Sequence, residues 1–148
     1  MKKILIAVVI LAVLAYAGIV SSNNRIAEGL QKQLVDCMLP PNTELVDSAA
    51  VAGRLQGNGN GMQYFGVALI HSNLDEGPLR TWYEAQLPNE EYIWVTRRES
   101  ELFDSSTRLF KDFEDDSHYW FVMLSRYNPI GKDATLLDGL RDIDIRGH

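Results

Sequence analysis

The hydrophobic pattern changes period along the chain. Residues 4–20, ILIAVVILAVLAYAGIV, form an unbroken apolar run preceded by Met1, Lys2 and Lys3. At about 1.5 Å per residue the run covers roughly 26 Å of helix, and with Ser21 and Ser22 it approaches a hydrocarbon core of about 30 Å. From residue 23 the pattern opens to one apolar position in four, Ile26, Leu30, Leu34 and Met38, with Asn23 or Asn24 available as a cap. This spacing predicts a helix over 23–38 that carries the span outward and rests one stripe on the following domain, or else pairs with a second copy as a short coiled coil. Pro40 and Pro41 end it, because neither can donate a backbone hydrogen bond.

Beyond the prolines the period shortens to two. In MQYFGVALIHS, residues 62–72, Phe65, Val67 and Leu69 point one way and Tyr64, Ala68 and Ile70 the other. Apolar side chains on both sides predict an inner strand. The preceding GNGNG, residues 57–61, supplies the positive-φ positions of a hairpin. A phosphate-cradling glycine loop delivers the chain into a helix and commonly ends in Gly-Lys-Ser/Thr; this one leads into a strand and lacks that ending. Residues 73–88 predict a helix with Asp75 as cap, Pro78 in its first turn, and Leu79, Trp82, Tyr83 and Leu87 on one face. Two more strands are expected, YIWVTRRE at 92–99 and HYWFVMLSRY at 118–127, the latter central. Residues 100–117 fit either a short helix bearing Leu102, Leu109, Phe110 and Phe113 or parts of two strands. DATLLDGL predicts a short helix, and RDIDIRGH, with Ile143 and Ile145 alternating with charges, an edge strand. The fold class expected is α+β: an N-terminal transmembrane helix, then a small domain with a mainly antiparallel sheet and a helix on one face.

Flanking charge gives the apolar run an orientation. Lys2 and Lys3 resist translocation and the far side carries no basic residue until Arg25, so the N-terminus is expected in the cytoplasm and the domain outside. Cleavage after Ala15-Tyr16-Ala17 would instead release a secreted domain. Continuity of the run through Gly18, Ile19 and Val20 favours an uncleaved signal anchor. The expected organisation is a transmembrane anchor over 1–22, a juxtamembrane helix over 23–38 and an extracytoplasmic domain over 39–148.

Of the 148 residues 46% are hydrophobic and 23% charged, which suits one modest domain plus the anchor. Without Lys2 and Lys3, 12 basic residues face 20 acidic ones, so the exported part carries −8. That charge argues against nucleic acid or anionic lipid as partners. The partners expected are the lipid bilayer, through residues 4–20, and a protein close to the membrane surface. The single cysteine, Cys37, has no intrachain disulfide partner; a buried, tolerated thiol is the usual case for such a residue, and an intermolecular bridge is the alternative.

Candidate chemistry is sparse. His71 and His118 stand at strand ends where they could meet across the sheet, but no His-x-x-x-His pair exists to place two imidazoles on one helix face. The cluster Asp112, Glu114, Asp115 and Asp116 lacks the aspartate spacing and central glycine of an EF-hand loop. There is no Gly-x-Ser-x-Gly elbow. No catalytic, cofactor-binding or metal-ligating residue is therefore assigned. The candidate binding surface is drawn from polar turn residues and aromatics: Asn58, Asn60, Tyr64, His71, Trp94, His118 and Trp120.

The run VAGRLQGNGNGMQYFGVALIHSNL followed by LRTWYE, with the ending DIDIRGH, resembles a group of short, uncharacterised, N-terminally anchored single-pass envelope proteins of Gram-positive anaerobes. The resemblance covers nearly the whole chain and implies an anchor with a small exported domain, and no activity. The leading expectation is a membrane-anchored extracytoplasmic interaction module. A small envelope enzyme or metal-binding protein using His71 and His118, and a structural subunit assembling through the helix or the C-terminal edge strand, are the alternatives.

Overall fold

The computed structural model describes residues 1–57, 61–87, 92–103, 108–110, 118–129, 131–144 and 146. A single helix, α1 (Lys2–Asp36), runs through both N-terminal segments without a break. Its first part is apolar and exposed, long enough to cross a membrane, a property that a membrane anchor and a signal sequence share. From Asn23 onward the same helix belongs to a packed unit. Asn23, Ala27, Leu30 and Leu34 are buried, with Ile26 partly so. The expected stripe holds at Leu30 and Leu34 but not at Met38, which lies past the helix end and is 71% exposed. Because that stripe is spent on the domain, it is not free for a coiled coil.

Four strands form one sheet: β1 (Thr43–Gly53), β2 (Gln63–Ser72), β3 (Tyr92–Thr96) and β4 (Tyr119–Tyr127). Their order is β1-β2-β4-β3 and every pairing is antiparallel. The inner strands are β2 and β4, the two that read as apolar on both sides. The glycine stretch thus joins two paired antiparallel neighbours, and Gly57 has a φ of 72°, a conformation that disfavours other residues. The buried Gln63 side chain holds the strand ends together, accepting from the amides of Leu55 and Gln56, both at 2.8 Å.

One face of the sheet, with Tyr64, Ala68, Ile70, Trp120, Val122 and Leu124, is covered by α1 and by α2 (Glu76–Glu84) through Leu79 and Tyr83. Asp75 stands at the N-cap of α2 with extended backbone, but its side chain makes no capping bond. Helix α1 crosses β2 so closely at Gly66 that a Cβ there would lie 2.2 Å from the Gln31 amide nitrogen and 2.5 Å from the Leu30 carbonyl carbon. The other face, with Phe65, Val67, Leu69, Phe121 and Met123, packs against Leu55, Leu102, Phe103 and Phe110. Phe103 meets Phe65 edge-on at 5.1 Å. Leu102, Phe103 and Phe110 therefore supply a second cover; Glu99–Glu101 is a 3-10 turn, and 104–107 and 111–117, with Phe113 and the acidic cluster, lie outside the described residues.

The C-terminus is pinned to the helix. Helix α3 (Leu136–Arg141) opens on a capping box between Thr135 and Asp138. Hydrogen bonds from Thr135, above all from its hydroxyl, hold the Asp138 carboxyl below the ordinary range, with Arg141 adding to the effect. Asn23, fully buried on α1, donates to the Arg141 carbonyl (3.2 Å) and to Asp144 Oδ2 (3.0 Å) and accepts from the Tyr64 hydroxyl (3.2 Å). Arg146 grips the same carboxylate with Nε at 2.9 Å and Nη2 at 2.7 Å. Burial pushes the Asp144 carboxyl up, but the bonds from Arg146 and Asn23 outweigh it and hold the group low. Asp142 and Ile143 form turns and not the expected edge strand, because Asp144 is drawn inward and the charges, not the isoleucine, face the core. Ile145 and His148 lie outside the described residues.

Candidate functional site

The residues expected to form a binding surface separate into four groups. Asn58 and Asn60 lie outside the described residues. Tyr64 and Trp120 are core residues, 2% and 3% exposed, and contribute no surface. Both alternate onto the face that α1 covers, and burial pushes the Tyr64 phenol up to about 12. Trp120 carries the Arg97 guanidinium 4.0 Å above its ring, a cation–π contact at the border of the core.

His71 and His118 do meet. Their ring centroids are 5.7 Å apart, and His71 also packs against Tyr119, its partner in the register, at 5.2 Å. The Ser72 amide donates to the His118 carbonyl at 2.8 Å, which closes the strand ends and brings the imidazoles together. Glu44 faces His71 across β1. Among the described residues no three His, Cys, Asp or Glu side chains converge on one point.

Trp94 belongs to a different and larger feature. On the edge strand β3, Tyr92 and Trp94 are spaced by two and share a face, while Ile93 and Val95 point toward the helix-covered core. Tyr92 is 63% exposed and Trp94 48%. Tyr127 meets Tyr92 edge-on at 5.7 Å and is itself held by donating to Gln56 Oε1 at 2.8 Å. Together with Arg126 these rings line an open cavity of about 440 Å³. Large aromatics cost free energy to leave in water, which makes this cluster across β3 and β4 the candidate recognition surface.

No family model, curated protein or solved structure matches the chain. The site is therefore argued from geometry. Sequence reasoning placed Trp94 on the candidate surface and left Tyr92, Arg126 and Tyr127 off it. The alternation of Tyr92 and Trp94 around inward Ile93 was a usable signal; the approach of Tyr127 depends on the β3–β4 register. Cys37 is half-buried, and burial together with the neighbouring Asp36 pushes its thiol up, which lowers its thiolate fraction and its reactivity.

Proposed function

We propose that the protein is a single-pass membrane protein, N-terminus in the cytoplasm, whose outward-facing domain binds a membrane-proximal protein partner through the cleft of Tyr92, Trp94, Arg126 and Tyr127. The orientation rests on Lys2 and Lys3 flanking the apolar run. The observation that carries the binding role is the exposure of Tyr92 and Trp94, side by side and braced by Tyr127, on a strand whose outer edge has no strand neighbour among the described residues. Rigid aromatic rings supply much contact area at little entropic cost, and the continuous helix keeps the cleft close to the bilayer, where tethering raises its effective concentration for neighbours.

The test is site-specific photocrosslinking in the native membrane, with the probe at Trp94 and, as a control, at the exposed Glu76 of α2. A discrete adduct from position 94, lost when Tyr92 and Tyr127 are both replaced by Ala, is expected. The same adducts from both positions, or none from 94, would refute the assignment.

The juxtaposed rings of His71 and His118 support a second reading, an envelope protein that binds a metal or acts as an enzyme at that end of the sheet. The cleft is the stronger candidate because it already has walls, a cavity and a charge, whereas the imidazole pair has no third ligand among the described residues.

A further inference from the structure

Helix α3 is built inside out. Asp138 faces inward at 6% exposure, while Leu136, Leu137 and Leu140 stand 85%, 53% and 42% exposed, and Ile143 in the turn that follows is 50% exposed. Leu136, Leu140 and Ile143 recur at i, i+4 and i+7, so they share one side, and Leu137 adjoins it. An apolar stripe directed away from its own domain, with a satisfied polar face directed into it, needs a partner outside the domain.

Its place on α1 identifies that partner. The Arg141 carbonyl at the end of α3 accepts from Asn23, and Asn23 lies three residues beyond Val20, about 4.5 Å along the helix axis. Arg146 lies close enough to Tyr16, inside the apolar run, for the two side chains to interact electrostatically. The C-terminal segment thus sits at the level where the apolar run ends. Its basic residues are already neutralised, Arg141 by Asp138 at 3.1 Å and Arg146 by Asp144 at 2.7 Å.

We infer that Leu136, Leu137, Leu140 and Ile143 insert into the interfacial layer of the bilayer that α1 spans, making α3 a second, apolar membrane contact that fixes the domain's tilt. The inference rests on the reading of residues 4–20 as a membrane span. Insertion of this kind draws on apolar area rather than on charge, so it is indifferent to anionic lipid. Pinning α3 to the helix at Asn23 also sets the azimuth of the domain, and with it the direction in which the aromatic cleft looks along the membrane surface.

The test uses the full chain, with Cys37→Ser to remove the native thiol, reconstituted in phosphatidylcholine nanodiscs. A nitroxide label is placed at Leu137→Cys, at Leu11→Cys within the span, and at Glu76→Cys on α2. The ratio of collision with lipid-soluble oxygen to collision with an aqueous nickel chelate is expected to be severalfold higher at 137 than at 76 and highest at 11. Replacing a third of the lipid by phosphatidylglycerol is expected to leave the 137 value unchanged. An aqueous value at 137 with a lipid value at 11 overturns the inference and leaves the anchor intact. An aqueous value at 11 means that the span itself has failed, and the inference with it. Spin–spin broadening at 137 that disappears on dilution into empty discs would show a second copy covering the patch, which also overturns it.

Discussion

Replacing Gly66 by Ala adds one methyl group where α1 and β2 touch. The new carbon would stand 2.2 Å from the Gln31 nitrogen, 2.5 Å from the Leu30 carbonyl carbon and 2.7 Å from the Gln31 Cα. Unstrained contact requires about 3.5 Å, so the helix has to retreat by about 1.3 Å. All three obstacles are backbone atoms, and no rotamer change can clear them. A gap of that size forfeits more than half of the dispersion well of each contact that Ala27, Leu30 and Leu34 make with the sheet. Overpacking typically costs about 1–3 kcal/mol, and a backbone obstacle puts this site at the upper end, about 3 kcal/mol. For a domain of this size that corresponds to a fall in Tm of about 12 °C. The assay is thermal unfolding of the full chain in detergent micelles, followed by the fluorescence of Trp82, Trp94 and Trp120. Gly29→Ala is the control, because nothing lies within 4 Å of its added carbon, and in mid-helix it is expected to stabilise by about 1 kcal/mol. A Gly66→Ala protein melting within about 2 °C of the parent would refute the close approach, as would rescue of the variant by Gln31→Ala, since removing a side chain cannot relieve a clash with backbone.

The polar joint between helix and tail gives two further tests. Asn23→Ala removes a donor from the buried Asp144 and an acceptor from the Tyr64 hydroxyl, and is expected to cost about 2–3 kcal/mol in denaturant unfolding, with faster amide exchange over 141–144. Asp144 has a carboxyl pKa below that of the unfolded chain, so its contribution to stability is complete above the ordinary value of about 3.9 and is lost as pH falls through the lower folded value. A plot of Tm against pH should therefore drop below about pH 4 in the parent and drop less steeply in Asp144→Asn; equal slopes would remove Asp144 from the acid response.

The parts of the fold legible in the sequence were those set by local period. The uniform run over 4–20, the alternation in 62–72 and the double-sided apolar pattern of 118–127 each mark an element whose environment follows from its own side chains. Glycines at 57, 59 and 61, just before the strand at 62–72, marked a turn because few other residues accept the required backbone angles. The aromatic site was legible only in part: Trp94 could be picked from composition, but an exposed and a buried tryptophan look alike until the sheet order puts Trp94 on an edge strand and Trp120 under the helices.

The sequence by itself determined that the chain opens with a helix able to enter a membrane and continues into an α+β unit with two inner strands, because hydrophobic periodicity is a local property. Only the tertiary structure decided that Asn23, Tyr64, Asp144 and Arg146 form one buried joint, that the tail turns Asp144 inward and leaves Ile143 exposed, and that Tyr92, Trp94 and Tyr127 share a cleft. Those outcomes rest on partners up to 121 positions apart, where the gain from satisfying a buried carboxylate outweighs the burial of one more isoleucine.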